Sequence, residues 1–176
     1  MRSCLVSLLR FLGLGTDRAS DARDTDTVRR IARQLETIEP EHARYLAAFA
    51  YVLARLAHAD LHIDPAETSE MERTVKELAH LSAAEAALVV QIAQSQARLL
   101  GGTENYIVTR QFRSVSTREQ RGELLQCLYA VAAADGTIST QESAEIVAIA
   151  EELGFTRAEA NALRGAYRDK LAEFQS

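Results

Sequence analysis

Tryptophan is absent from this chain of 176 residues, proline and cysteine occur twice each, and aromatic residues make up 6%. Each scarcity excludes something. Cys4 and Cys127 stand far apart and form neither a disulfide framework nor a zinc-type spacing, so a reducing, cytoplasmic setting is expected. Cys127 lies in an apolar stretch and reads as a small core residue rather than a reactive thiol. Basic charge is also short: 20 Lys and Arg against 25 Asp and Glu leave a formal net charge of −5. A nucleic-acid surface needs a basic face for phosphate, so no nucleic-acid partner is expected. The sequence contains no glycine-rich phosphate loop, no nucleophile elbow, no His-Glu-x-x-His motif and no alternating strand pattern.

What is abundant is alanine, leucine, glutamate and arginine, side chains that lose little rotamer freedom in a helix. An all-α fold follows, in one domain long enough to bury a substantial core. The first fifteen residues (1–15, MRSCLVSLLRFLGLG) place Leu5, Leu8, Leu9 and Leu12 on one helical face. Arg10 interrupts the run and no small-residue cleavage site follows closely, so it does not read as an export signal. It is too short to span a bilayer. A helix docked on the domain is the plain reading, and a weak membrane-surface contact the sharper one. Residues 16–26 contain no large apolar side chain and read as a polar linker, leaving 27–176 as the helical domain.

Five helix starts carry the capping-box signature, in which a short polar side chain and the residue three later satisfy each other's backbone N–H. They are Asp64/Glu67, Ser82/Glu85, Thr117/Gln120, Ser139/Glu142 and Thr156/Glu159. With the helices before them, they predict seven to eight helices at about 27–38, 41–60, 65–80, 83–100, 104–114, 118–135, 140–153 and 157–174. The second and sixth are the most apolar and are expected to be the two central core helices. Their buried stripes are read as Phe49/Leu53/Leu56 and Leu124/Leu128/Val131.

The chain also repeats itself. Residues 53–78 align without gaps on 128–153, with nine identities, four of them carboxylates: Asp60/Asp135, Glu67/Glu142, Glu70/Glu145 and Glu77/Glu152. Each unit is a helix, a tight turn and a second helix. Capping explains Glu67 and Glu142, and the helix dipole suits Glu70 and Glu145 near a helix start. Glu77 and Glu152 read most simply as solvated charges. Asp60 and Asp135 sit near a helix C-terminus, where the dipole disfavours an anion. An Asx-type turn is one account of them.

If the two units pack about a pseudo-twofold axis, Asp60, Glu67, Asp135 and Glu142 pool at their turns. Crowded carboxylates raise one another's pKa unless a cation neutralises them, and hard ions such as Ca²⁺ or Mg²⁺ suit oxygen-only ligands. An EF-hand is excluded, because the twelfth position falls on Met71 and Ile146 where a bidentate glutamate is required. His58, Asp60, His62 and Asp64 form a second, weaker metal string. His42 and His80 have no evident partner in the sequence.

The repeated pattern A-x-A-D-[G/L]-x-I-x-x-x-E, strongest as AAADGTISTQE at 132–142, resembles the tellurite-resistance protein B (TerB)-like family of bacteria. The likeness covers roughly residues 27–174. A short apolar N-terminus, an acidic first repeat, an ENYIVTRQF-type middle helix and the second repeat stand in the order found in uncharacterised members. The first repeat departs from the family pattern by carrying Leu61 where glycine is common. A leucine in a left-handed turn costs on the order of 1 kcal/mol, so the first turn is expected to differ in shape. The resemblance implies an all-α fold, an acidic cluster at Asp60, Glu67, Asp135 and Glu142 suspected of metal binding, and a link to stress or tellurite response. It implies no catalytic activity.

The leading expectation is therefore a non-enzymatic helical module that binds a divalent cation or a protein partner through the acidic turns. The alternatives are a metal-dependent hydrolase using the same carboxylates and a peripheral membrane adaptor using the N-terminal leucines.

Overall fold

The computed structural model describes residues 22–57, 65–97 and 105–175. Eight α-helices occur there: α1 (Ala22–Glu36), α2 (Pro40–Ala57), α3 (Pro65–Leu78), α4 (Ala83–Ala97), α5 (Asn105–Val115), α6 (Arg118–Ala132), α7 (Thr140–Glu152) and α8 (Arg157–Gly165). Two short 3-10 turns, Arg168–Lys170 and Ala172–Phe174, follow. The all-α expectation holds. α1 begins at Ala22, ahead of the start expected at residue 27 and inside the stretch read as linker.

Of the five expected capping boxes, the four within the described residues form. Ser82 and Glu85 exchange bonds at 2.8 and 3.2 Å, and Thr117/Gln120, Ser139/Glu142 and Thr156/Glu159 do the same. The fifth, at Asp64, lies outside the described residues. Helix ends are as local: Gly154 adopts φ +90 after α7, and Gly136 φ +97 after α6, a conformation that L side chains rarely adopt.

α2 is the centre of the molecule. Every residue from Tyr45 to Ala54 is buried, because alanines at 47, 48, 50 and 54 leave room for α4 and α5 to approach closely. Tyr45, Phe49 and Phe112 pack ring against ring across the α2–α5 seam, with centroids 5.6–6.1 Å apart. α6 was expected to share the centre but is buried on one face. Leu124, Leu125, Cys127, Leu128, Tyr129 and Ala132 point inward, whereas Gln126 is exposed and Val131 only half-buried. α4 takes the remaining central place with Leu88, Val89, Val90, Ile92 and Ala93. The two repeats interlock, with α3 of the first packed on α6 of the second.

The last helix is shorter than the periodicity predicts. α8 stops at Gly165, and Leu171 forms a parallel bridge with Ile138 instead. Ile138 N–H donates to the Lys170 carbonyl at 2.7 Å, and Ala172 N–H donates to the Ile138 carbonyl at 2.9 Å. The bridge buries both Ile138 and Leu171, and that tertiary gain overrides local helix propensity. Among the described residues, no helix is long and apolar enough to cross a membrane.

Candidate functional site

The turn after α6 presents Asp135, Gly136, Thr137 and Ile138. Asp135 is exposed, and its Oδ1 accepts the Thr137 N–H at 3.0 Å, an Asx turn. That bond gives the carboxylate a backbone partner despite its place just after a helix C-terminus. Glu142, on the first turn of α7, directs Oε2 back to the Ser139 N–H at 2.8 Å and hydroxyl at 2.7 Å. Its capping role is therefore real. Among the described residues, Asp135 Oδ2 and Glu142 Oε1 take no hydrogen bond or ion pair, and neither residue has a cationic partner. Oxygen atoms of this kind are the donors hard cations use.

The other half of the expected cluster is not placed. Asp60 and the string His58, His62 and Asp64 lie outside the described residues, as does Cys4. Glu67 belongs to α3, but its side chain lies outside them too. Among the described residues, no three His, Cys, Asp or Glu side chains come together as a metal-holding group.

The C-terminal residues seat on this same turn. Gln175 Nε2 donates to the Gly136 and Asp169 carbonyls, both at 3.0 Å, and Thr137 Oγ1 donates to Gln175 Oε1 at 2.7 Å. Glu173 pairs with Arg164, whose Nε donates to the buried Ser143 hydroxyl at 2.7 Å.

A second charged constellation was missed by sequence reasoning. Arg55, near the end of α2, is 8% exposed in its side chain. Its Nε donates to Glu145 Oε1 at 2.5 Å, and its Nη1 and Nη2 to the two oxygens of Glu152 at 2.6 and 3.2 Å. Nη1 also donates to the buried Thr109 hydroxyl at 2.9 Å. Burial works against the charge on Arg55, but hydrogen bonds to Glu152 and Glu145 outweigh it and hold the guanidinium above its ordinary pKa. Glu152 is thus not a solvated charge, and Glu145 does more than complement a dipole. The signal was there to read: Arg55 is the one charge in the apolar run LAAFAYVLARLA, and a buried charge needs a partner.

The histidines also find partners. His42 Nε2 lies 2.5 Å from Glu85 Oε1, and His80 Nε2 lies 3.8 Å from Glu123 Oε1. Glu85 is held below the usual carboxylate range by the Ser82 hydroxyl first, then by His42 and the Ser82 N–H. Cys127 is buried, and desolvation, with Glu123 nearby, pushes its thiol up to about 12.

A family model described as "Tellurite resistance protein TerB" matches residues 46–165. The match opens within the buried core of α2 and closes on the last residue of α8, so it takes in both halves of the duplication and the Asp135 turn. No curated protein and no solved structure matches the chain. With more than half of its residues matched and the all-α duplicated core in place, the chain belongs to the tellurite resistance protein TerB family.

Proposed function

We propose that this TerB-family chain is a non-enzymatic binding module of a stress or tellurite response, and that its second-repeat turn holds a divalent cation of the Ca²⁺ or Mg²⁺ type. One observation carries the reading. In the second repeat and the helix after it, Glu145 and Glu152 are neutralised by Arg55 and Glu159 by Arg118, whereas Asp135 and Glu142 have no cation beside them among the described residues. Each keeps one carboxylate oxygen without a partner among the described residues, on a turn already fixed by the Thr137 and Ser139 N–H groups. Oxygen-only donors on a pre-formed turn favour a hard cation over a soft one. Asp60 and Glu67 of the first repeat are the further ligands this reading enlists. The buried Cys127, protonated at neutral pH, supports binding rather than nucleophilic chemistry.

Thermal melting with chelator, and then with Ca²⁺, Mg²⁺, Mn²⁺ or Zn²⁺, tests the proposal, because an ion that binds only the folded state raises the melting temperature. The expected result is an increase with Ca²⁺ or Mg²⁺ that Asp135→Asn abolishes. No increase with any ion at millimolar excess overturns it, and an increase retained in Asp135→Asn moves the ion elsewhere.

A further inference from the structure

Residues 166–175, which follow α8, form a strap in which Leu171 is the one buried residue. Tyr167 and Lys170 are half-buried, and Ala172, Glu173, Phe174 and Gln175 are exposed. A segment that buries one leucine opens more readily than a core helix, because little apolar surface has to enter water. The Tyr167 ring, stacked on Tyr129 at 5.2 Å, pins the start of the strap. The turn between α6 and α7 holds the rest. The Ile138 N–H and carbonyl are both spent on the strap, through Lys170 and Ala172. Gln175 bonds the Gly136 carbonyl with its amide nitrogen and the Thr137 hydroxyl with its amide oxygen. Glu173 pairs with Arg164, which reaches the hydroxyl of Ser143 beside Glu142.

The strap therefore grips Gly136, Thr137 and Ile138 directly, and the neighbour of Glu142 through Arg164, but neither carboxylate. Among the described residues, no strap atom bonds Asp135 or Glu142. Their free oxygens stay uncovered while the backbone beneath them is held. Gly136, at φ +97, has no Cβ to restrict it, so fixing this position costs more conformational entropy than fixing any other residue type. Asp135 in turn is placed by the Thr137 N–H, and Gln175 holds the hydroxyl of that same threonine. A ligand that meets a turn already held has less ordering entropy to overcome.

We infer that the strap is a latch on the cation site of the second repeat. Docked, it pre-forms the turn and raises affinity for the ion; released, it lets the turn relax and weakens binding. The inference rests on the reading of the Asp135 turn as a site for a Ca²⁺- or Mg²⁺-type ion. Coupling of this kind is reciprocal, so the ion must hold the strap down by the same factor. The opposite arrangement, in which strap and ion compete, would need the strap to occupy the carboxylate oxygens, and it occupies neither.

Ca²⁺ and Mg²⁺, titrated separately by calorimetry into the full chain and into its Leu171→Ser and Gln175→Ala variants, test the latch. Both substitutions should weaken binding, Leu171→Ser by about fivefold or more. Gln175→Ala leaves the buried Leu171 in place, so it reports on the strap even where Leu171→Ser lowers overall stability. Amide exchange gives the reciprocal reading. The ion should slow exchange of the Ile138 and Ala172 N–H groups in the parent chain and leave it unchanged in Asp135→Asn, a response that a merely structural strap would not give. The latch is overturned if the parent binds the ion and both variants bind it as tightly or more tightly, or if the ion leaves exchange in the strap unchanged. Absence of binding to the parent chain is a different failure: it removes the cation reading, and the latch with it.

Discussion

Arg55 on α2 and Glu152 on α7 form a two-pronged ion pair across 97 residues of sequence, with nitrogen–oxygen distances of 2.6 and 3.2 Å. Glu145, two helical turns earlier on α7, completes the set at 2.5 Å. Their counterparts in the first repeat, Glu70 and Glu77, also meet one arginine, but it is Arg73 of their own helix and the group is exposed. The duplicated glutamates thus keep an arginine in both halves. Only in the second half does it tie three helices together, through Glu145, Glu152 and Thr109.

Breaking that tie is expected to cost more than any exposed pair in the molecule. Arg55→Ala leaves two carboxylates facing each other in a partly buried setting, with a loss of about 3 kcal/mol. Arg73→Ala, on the surface, should cost under about 1 kcal/mol. Urea denaturation of the two variants distinguishes them, and equal losses would show that the Arg55 contacts carry no special weight. A double-mutant cycle with Glu152→Gln isolates the pair itself.

How much of this was legible depends on how local each feature is. The caps at Ser82, Thr117, Ser139 and Thr156 use residues three apart, and all of them form as read. The Arg55 set needed knowledge of which helices α2 touches, which no window of sequence contains. Glu152 was consequently read as solvated. The Leu171 bridge defeated periodicity for the same reason: residues 157–174 look helical on their own, yet Ile138, more than thirty residues earlier, claims Leu171. At the turns, glycine at 136 predicted a left-handed conformation that the structure shows, while Asp60 and Leu61 lie outside the described residues.

Glu159 sets a pH dependence. The Thr156 backbone N–H, Arg118 and the Thr156 hydroxyl lower its pKa from the ordinary 4.5 to about 2. Because the folded value lies below the unfolded one, its contribution is complete above about pH 4.5 and is lost as pH falls toward 2. Melting temperature against pH should therefore fall less steeply across that window in Glu159→Gln than in the parent chain. Parallel curves would contradict the assignment.

Cys127 should be inert in the folded chain. Burial pushes its thiol up to about 12, so little thiolate exists near neutral pH. In a Cys4→Ser background, an alkylating reagent at pH 8 should label Cys127 only after denaturant is added, as read by mass spectrometry. Rapid labelling under native conditions would mean that the core around α6 opens readily.

The two left-handed glycines offer a graded test. An added Cβ at Gly136 meets nothing within 4 Å, so Gly136→Ala carries only the conformational strain of positive φ, about 1 kcal/mol. At Gly154 the same Cβ comes within 3.1 Å of two atoms of the Arg113 guanidinium, which is itself held against the Glu152 carbonyl. Gly154→Ala should therefore lose more stability than Gly136→Ala by chemical denaturation. The excess should shrink when Arg113→Ala removes the guanidinium, because steric crowding disappears while backbone strain stays. An excess unchanged by Arg113→Ala would place the difference in the backbone alone.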